Sequence, residues 1–436
     1  MLLLKKIGKI IGQPIGFALL GLVLQQCSSN RRIEHKNIKV NVNPYEKVSW
    51  SSVQRYKAAL HLHTLQSDGY NSVKEVVDTY QRQGFKIIGI TDHDWNYPNA
   101  RIKWGQVSEE KASPFPEDPK PDNFPANTTW PWIDYGTPSP DSLKIIGIQA
   151  AELTFRHHIN SYFSDYGVWY ERTGSKAPYS GIEDNLGNVI FEDEQIFAVK
   201  RKKGLAILNH PDISDSKSWW ERKPLEWYVQ RFRNSSPEVL VGMEVTNMQN
   251  KEVIDGTAKA LKYNESLWDQ LLIRFMPSRP IWGFGADDMH SLDNVMDSFT
   301  VFLLDEFSEN AVYNAMLNGQ FYFCYSTRII NMLKDDPSLF PSIDKIEVDS
   351  KEANITISAS NYDEIVWISG PEILQPIANY KTSNQPWDSG KVVGKGRMIE
   401  LRGSDIKNYV RAELIRTSGN DIYRTFTNPF GVGASD

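Results

Sequence analysis

The chain has 436 residues, 40% hydrophobic and 23% charged, the balance of an ordinary globular protein large enough for two domains. A net charge of −6 excludes a diffuse basic surface for gripping nucleic acid. With only two cysteines, Cys27 and Cys324, a disulfide framework and a cysteine-built zinc site are excluded as well.

Lys5, Lys6 and Lys9 precede an apolar stretch from Ile10 to Leu24 that ends at Gln25-Gln26-Cys27-Ser28. A basic region followed by a short apolar one is the layout of a secretory signal. It is too short, and too interrupted by Gly and Pro, for a spanning helix. The lone cysteine just past the apolar stretch resembles the bacterial lipoprotein signal, in which that residue becomes the lipid-bearing N-terminus. Leu24 suits the position three before it, whereas Gln26 stands where a small residue is usual. The resemblance implies lipidation at Cys27, export to the periplasm or outer membrane, and membrane contact through the lipid anchor. A plain cleaved signal and an uncleaved anchor are the alternatives. Residues 28–50 read as a polar tether.

From Tyr56 onward, apolar runs of strand length alternate with helical patterns. Strands are expected at 58–63, 86–91, 144–151, 205–209, 240–245, 281–286 and 298–304, several with the unbroken Ile/Val/Leu character of parallel strands buried on both faces. The clearest helix begins at the capping box Ser72…Glu75, presents Val73, Val76, Val77 and Tyr80 on one face and stops at Gly84. Further helices are expected at 225–232, 266–275 and 309–317. Lys200-Arg201-Lys202-Lys203 reads as a solvated helix end. Such alternation points to a β/α barrel or an open doubly wound sheet. An insertion at 95–143, rich in Pro, Asp and Trp, breaks the rhythm and reads either as a functional lid or as a surface excursion.

Residues 340–436 change to period-two alternation (Ile343, 345–348, 355–358), followed by short strands at 398–401, 409–415 and 423–426. These read as a small antiparallel β-sandwich. The domain plan is thus a signal at 1–27, a tether at 28–50, a first domain at 51–335 and the sandwich at 340–436.

Seven of the eight histidines fall in five short segments at or just after strand ends. These are His61-Leu62-His63 with Asp68; Asp92-His93-Asp94; Glu152 with His157-His158; Asn209-His210-Pro211-Asp212; and Asp287-Asp288-Met289-His290. In a β/α barrel such ends share one mouth. On a strand His61 and His63 point to one side and Leu60 and Leu62 to the other; with the leucines under the surrounding helices, both imidazoles face the axis. Imidazoles with carboxylates suit zinc, manganese or iron rather than calcium.

H-x-H-T-x-x-S-D-G at His61, T-D-H-D at Thr91, the Glu152 and His158 segments, His210-Pro211 and the final Asp288-x-His290 resemble, in order, the motifs of the PHP (polymerase and histidinol phosphatase) domain. The resemblance covers about residues 56–330 and implies a distorted seven-stranded β/α barrel holding three divalent ions. It implies that His61, His63, Glu152 and Asp288 hold one ion, that Glu152 bridges to a second held by His158 and His210, and that Asp68, His93 and His290 hold the third. His157 competes with His158, which the family pattern favours. Asp92, and less strongly Asp287, would fix a neighbouring imidazole tautomer.

The implied activity is phosphate ester hydrolysis by a hydroxide activated between the ions, so no separate side-chain nucleophile is needed. Glu152, Asp288 and His210 are the candidate catalytic residues, with Arg156 as a contact for a substrate anion. A phosphorylated small molecule, lipid or glycan is the expected substrate, and nucleic acid is not expected. Two other functions stay open: a carboxylic or carbamate ester hydrolase using the same ions, and a non-catalytic surface module with structural ions.

Overall fold

The computed structural model describes residues 38–93, 140–153, 157–164, 191–211, 223–247, 251–254, 257–260, 262–328, 337–370, 387–403 and 405–434. The signal with Cys27, nearly all of the Trp-rich insertion, and Arg156 lie outside them. The fold is mixed α/β. One five-stranded sheet runs Trp282–Ala286, Leu240–Asn247, Leu205–Leu208, Ile159–Tyr162, Ala150–Leu153. An eleven-stranded sheet runs Ile38–Val42, Phe430–Ala434, Tyr409–Ser418, Asp421–Thr427, Phe321–Ser326, Ser298–Leu304, Gln54–Ala59, Phe85–Gly89, Ile146–Ile148, with Glu364–Ser369 and Lys391–Lys395 branching from Tyr409–Ser418.

A closed seven-stranded barrel is therefore not what the hydrogen-bonded ladders form among the described residues. The single strand expected at 144–151 is two strands, 146–148 in the large sheet and 150–153 in the smaller one. The break falls at Gln149, whose carbonyl accepts instead from the Phe163 N–H. The two sheets nevertheless enclose one apolar cluster, in which Ala58, Leu60, Ile87 and Phe302 of the large sheet meet Ala150, Tyr162, Ile207, Val241 and Phe284 of the small one. Two isolated parallel bridges join Leu62 to Met289, both just beyond strand ends, and His93 to Glu152 within Ala150–Leu153.

The helix at Val73–Arg82 forms as its sequence requires. Ser72 Oγ accepts from the Glu75 N–H while the Glu75 carboxylate accepts from the Ser72 N–H, and Gly84 takes the left-handed conformation at φ 79°. Its buried Val73, Val76, Val77 and Tyr80 pack against Ile88, Ile90 and Phe299. Full burial is worth about 1.5–3 kcal/mol for each large apolar side chain, enough to hold a ten-residue helix that would be marginal alone. The helices at Leu225–Asn234, Tyr263–Phe275 and Glu309–Asn318 follow the expected positions, and Lys200 and Arg201 close the helix Phe191–Arg201.

The C-terminal strands do not form a free-standing sandwich. Asp421–Thr427 pairs antiparallel with Phe321–Ser326 and so continues the large sheet. Ser342–Asp349, Asn354–Ser360 and Met398–Glu400 make a small antiparallel sheet of their own. Across this join the helix Tyr263–Phe275 places two buried carboxylates against C-terminal arginines. Glu265 takes both Arg424 amino groups, and Asp269 takes Arg411 at 2.9 and 3.0 Å together with the Tyr409 hydroxyl at 2.8 Å.

Candidate metal centre

The strand Gln54–Ala59 ends before the H-x-H segment, and its phase slips there. Leu60 faces the cluster shared by the two sheets, but Leu62 packs outward with Val76 and Tyr80, so the two leucines do not share a face as expected. The slip turns His61 and His63 toward the site. It is held by the ladder that Leu62 continues: His63 N–H to Met289 C=O at 2.9 Å, Met289 N–H to His61 C=O at 3.3 Å, and Thr91 N–H to Leu62 C=O at 2.9 Å. The bridge beside Met289 also brings in its neighbours Asp288, in the left-handed conformation at φ 51°, and His290. A non-glycine residue held there carries strain of the kind that gathers at functional sites.

Glu152 is the hub. Its carboxylate lies 3.3 Å from His61 Nε2, 3.3 Å from His63 Nε2, 3.1 Å from His93 Nδ1, 2.8 Å from His158 Nδ1 and 3.0 Å from His210 Nε2. Asp288 Oδ1 lies 3.2 Å from His61 Nε2 and 3.3 Å from His63 Nε2. On the other side Asp68 lies 3.2 Å from His63 Nδ1, 3.2 Å from His93 Nε2 and 3.4 Å from His290 Nε2. The structure thus brings all nine expected ligands together. Their donor atoms converge in four overlapping groups: His63/Asp68/His93/His290, His61/His63/Glu152, His61/His210/Asp288 and His93/Glu152/His158. His290 and Asp68, at 30% and 22% side-chain exposure, mark the open side; the rest are buried.

Of the adjacent pair, His158 reaches Glu152, whereas His157 packs edge-on against Trp227 and Tyr228 at 5.1 and 5.7 Å between ring centres. Asp92 and Asp287 both accept from hydroxyl and backbone donors. Asp92 accepts from the Thr64 N–H, the Thr64 hydroxyl and the Ser67 hydroxyl at 2.6–2.7 Å, fixing the loop that carries Asp68. Gly69 closes that loop so tightly that a Cβ there would lie 2.4 Å from the His63 carbonyl. Asp287 accepts from Tyr80 Oη and from the N–H groups of Met296 and Ser298.

Glu244 was not among the expected residues. It is buried in Leu240–Asn247 and sits 2.5 Å from His61 Nδ1. The available signal was a single carboxylate within an otherwise uncharged strand, since acidic side chains are almost never fully buried without a partner. Asn209, named in the His210 segment, donates its amide to Glu152 Oε1 at 2.7 Å, and its carbonyl oxygen accepts from the Asn160 N–H.

Burial disfavours every charge here, and the groups answer by pairing. Against that burial, Glu244, Asp288 and Glu152 hold His61 well above the usual imidazole range, and Asp68, Asp288 and Glu152 do the same for His63. Asp68, Glu152 and Asp288 are held well below the carboxylate range by the imidazoles around them, despite burial. His158 is pushed down to about 3 by burial, assisted by His210 and His93, and is a neutral donor at physiological pH. Three carboxylates facing imidazole nitrogens at about 3 Å could hold metal ions, which require deprotonated His and ionised acid ligands.

No family model matches the chain, and no curated protein matches it in sequence. Among solved structures it is similar to a two-domain protein from Bacteroides vulgatus containing a predicted PHP-like metal-dependent phosphoesterase. The identity is 14% and the TM-score 0.41, over 87% of this chain and 94% of that one. It is also similar to the lesion-specific endonuclease PfuEndoQ from Pyrococcus furiosus (12%, TM-score 0.34, 61% of this chain and 56% of that one). A third is an amidohydrolase from Chromobacterium violaceum (12%, TM-score 0.30, 54% and 88%). These likenesses are distant, and the bearing on function lies in the convergence of donor atoms.

Proposed function

We propose that the chain is a metal-dependent hydrolase of ester bonds, with phosphate esters as its substrate class. The observation that carries this reading is Glu152, one buried carboxylate faced by five imidazoles. A carboxylate so surrounded suits a bridge between ions better than a lone structural site, which would be closed by four donors. His61, His63, Glu152 and Asp288 would hold one ion, Glu152, His158 and His210 a second, and Asp68, His93 and His290 a third. When bound, divalent ions supply a water acidic enough to ionise near neutral pH and offset charge on substrate oxygens.

The chain's own residues do the rest. Among the described residues, burial of all donors but Asp68 and His290 shields the centre from bulk water and puts its more exposed side at His290. Asp92, through Thr64 and Ser67, fixes the Asp68 loop that borders this side. Asn209 orients Glu152. The bridges Leu62–Met289 and His93–Glu152 we read as the seams of a distorted seven-stranded barrel, which would set all five segments around one mouth. With the N-terminal signal, this activity would be delivered to the cell envelope and tethered there through Cys27.

The test is a substrate panel. Residues 28–436, loaded with zinc, manganese or iron, should turn over phosphomonoesters or phosphodiesters, and Glu152→Ala should abolish turnover and lose two ions together. Turnover of carboxylic esters alone would replace the substrate class. Bound ions without turnover of any ester would make the chain a binding module.

A further inference from the structure

We infer that Glu244 is a positioning residue that fixes His61 as an Nε2 ligand and ties the His210 loop to the same carboxylate; this rests on the metal-centre reading. Glu244 is the only charged side chain of Leu240–Asn247, a strand buried at every position. Taking a carboxylate out of water costs several kcal/mol unless partners replace the water. Its partners account for both oxygens. Oε1 lies 2.5 Å from His61 Nδ1, and Oε2 accepts from the His210 backbone N–H at 2.9 Å and from Asn247 Nδ2 at 3.2 Å.

A neutral imidazole donates from one nitrogen and accepts at the other. A carboxylate facing Nδ1 keeps the proton there and leaves the Nε2 lone pair to the cluster, where His63 Nε2, Asp288 and Glu152 stand 3.1–3.3 Å away. The hold on His210 is of a different kind. Its backbone is pinned by Glu244 while its ring reaches Glu152 at 3.0 Å, so the carboxylate sets the height of the loop. Glu244 belongs to none of the four convergent donor groups and so acts through His61 and His210. His61 is shared by two of those groups, which makes one positioning contact bear on both.

The experiment measures Zn²⁺ affinity by chelator competition in the full chain, Glu244→Ala and Glu244→Gln. Ring tautomers are read in the Zn²⁺-loaded chains by ¹⁵N-histidine NMR, and folding by circular dichroism. Glu244→Ala should weaken Zn²⁺ binding about 10- to 100-fold, the usual effect of losing such a partner, and release His61 from the Nδ1–H tautomer. Glu244→Gln keeps an oxygen that accepts from Nδ1–H, so it should retain the tautomer and lose less affinity than the alanine variant. Wild-type affinity and wild-type His61 ring signals in both variants would overturn the inference. Should the alanine variant not fold, Glu244→Met, which fills the same space without an acceptor oxygen, takes its place, and wild-type affinity with wild-type His61 ring signals in it would overturn the inference. A wild-type chain that binds no Zn²⁺, Mn²⁺ or Fe²⁺ would instead sink the metal centre itself, an outcome visible before any variant is compared.

Discussion

Asp68, Glu152 and Asp288 keep their charge in a buried setting because imidazoles surround them, and His61 and His63 keep theirs for the converse reason. That mutual support has a consequence for pH. His61, His63 and His210 all have raised affinity for a proton in the folded, ion-free chain, and each must shed it to bind a cation. Below their folded pKa values protons compete with metal, so apparent affinity should rise with pH, by about one log unit per pH unit for each proton displaced. Isothermal titration at several pH values checks this, with proton release seen as a buffer-dependent heat; an affinity flat from pH 6 to 8 would contradict it. The same chemistry explains what was legible in the residues. Spacing at i, i+2 pointed to His61 with His63 and to Asp288 with His290, while the remaining candidate ligands were named through the resemblance of their segments to the PHP motifs. Glu244 acts through its neighbours, and a lone Glu in a strand has no spacing to betray it. The part of Asp92 in holding the Asp68 loop was not legible, since Thr64 and Ser67 lie 25–28 residues away in sequence.

Elements show the same division between local and distant causes. The helix Val73–Arg82 was legible to its caps because Ser72, Glu75 and Gly84 act within a few residues of themselves. The phase slip between Leu60 and Leu62 was not, because it is imposed by Met289, far along the chain. Nor was the charged face of Tyr263–Phe275, where Glu265 and Asp269 meet arginines from the C-terminal strands. Asp269 is buried and satisfied by Arg411, Tyr409 and the Gly390 N–H. Asp269→Ala leaves a buried guanidinium without its carboxylate and should cost about 3–5 kcal/mol in urea unfolding. Glu226→Ala, which breaks the exposed pair with Arg233, should cost less than about 1 kcal/mol in the same assay. Equal costs would show that the Asp269 pair does not lock the helix to the sheet.

At the scale of the whole molecule, the β/α alternation announced a mixed α/β fold, and the change of period near Phe340 announced strands of another kind. What neither could show is that Asp421–Thr427 joins Phe321–Ser326, because pairing partners separated by about a hundred residues leave no local trace. A fragment ending at residue 339 would expose the edge of Phe321–Ser326 and leave Glu265 and Asp269 buried without their arginines. It should be insoluble or lack a cooperative melt, and a soluble, cooperatively melting fragment would contradict that. The central claim, that five strand-end segments build a metal centre, is tested most directly by elemental analysis of the purified full-length chain after metal loading and exhaustive removal of free ions. The proposed centre predicts close to three divalent ions per chain, falling by two in Glu152→Ala. A chain that retains fewer than one ion, with its fold intact, would contradict it.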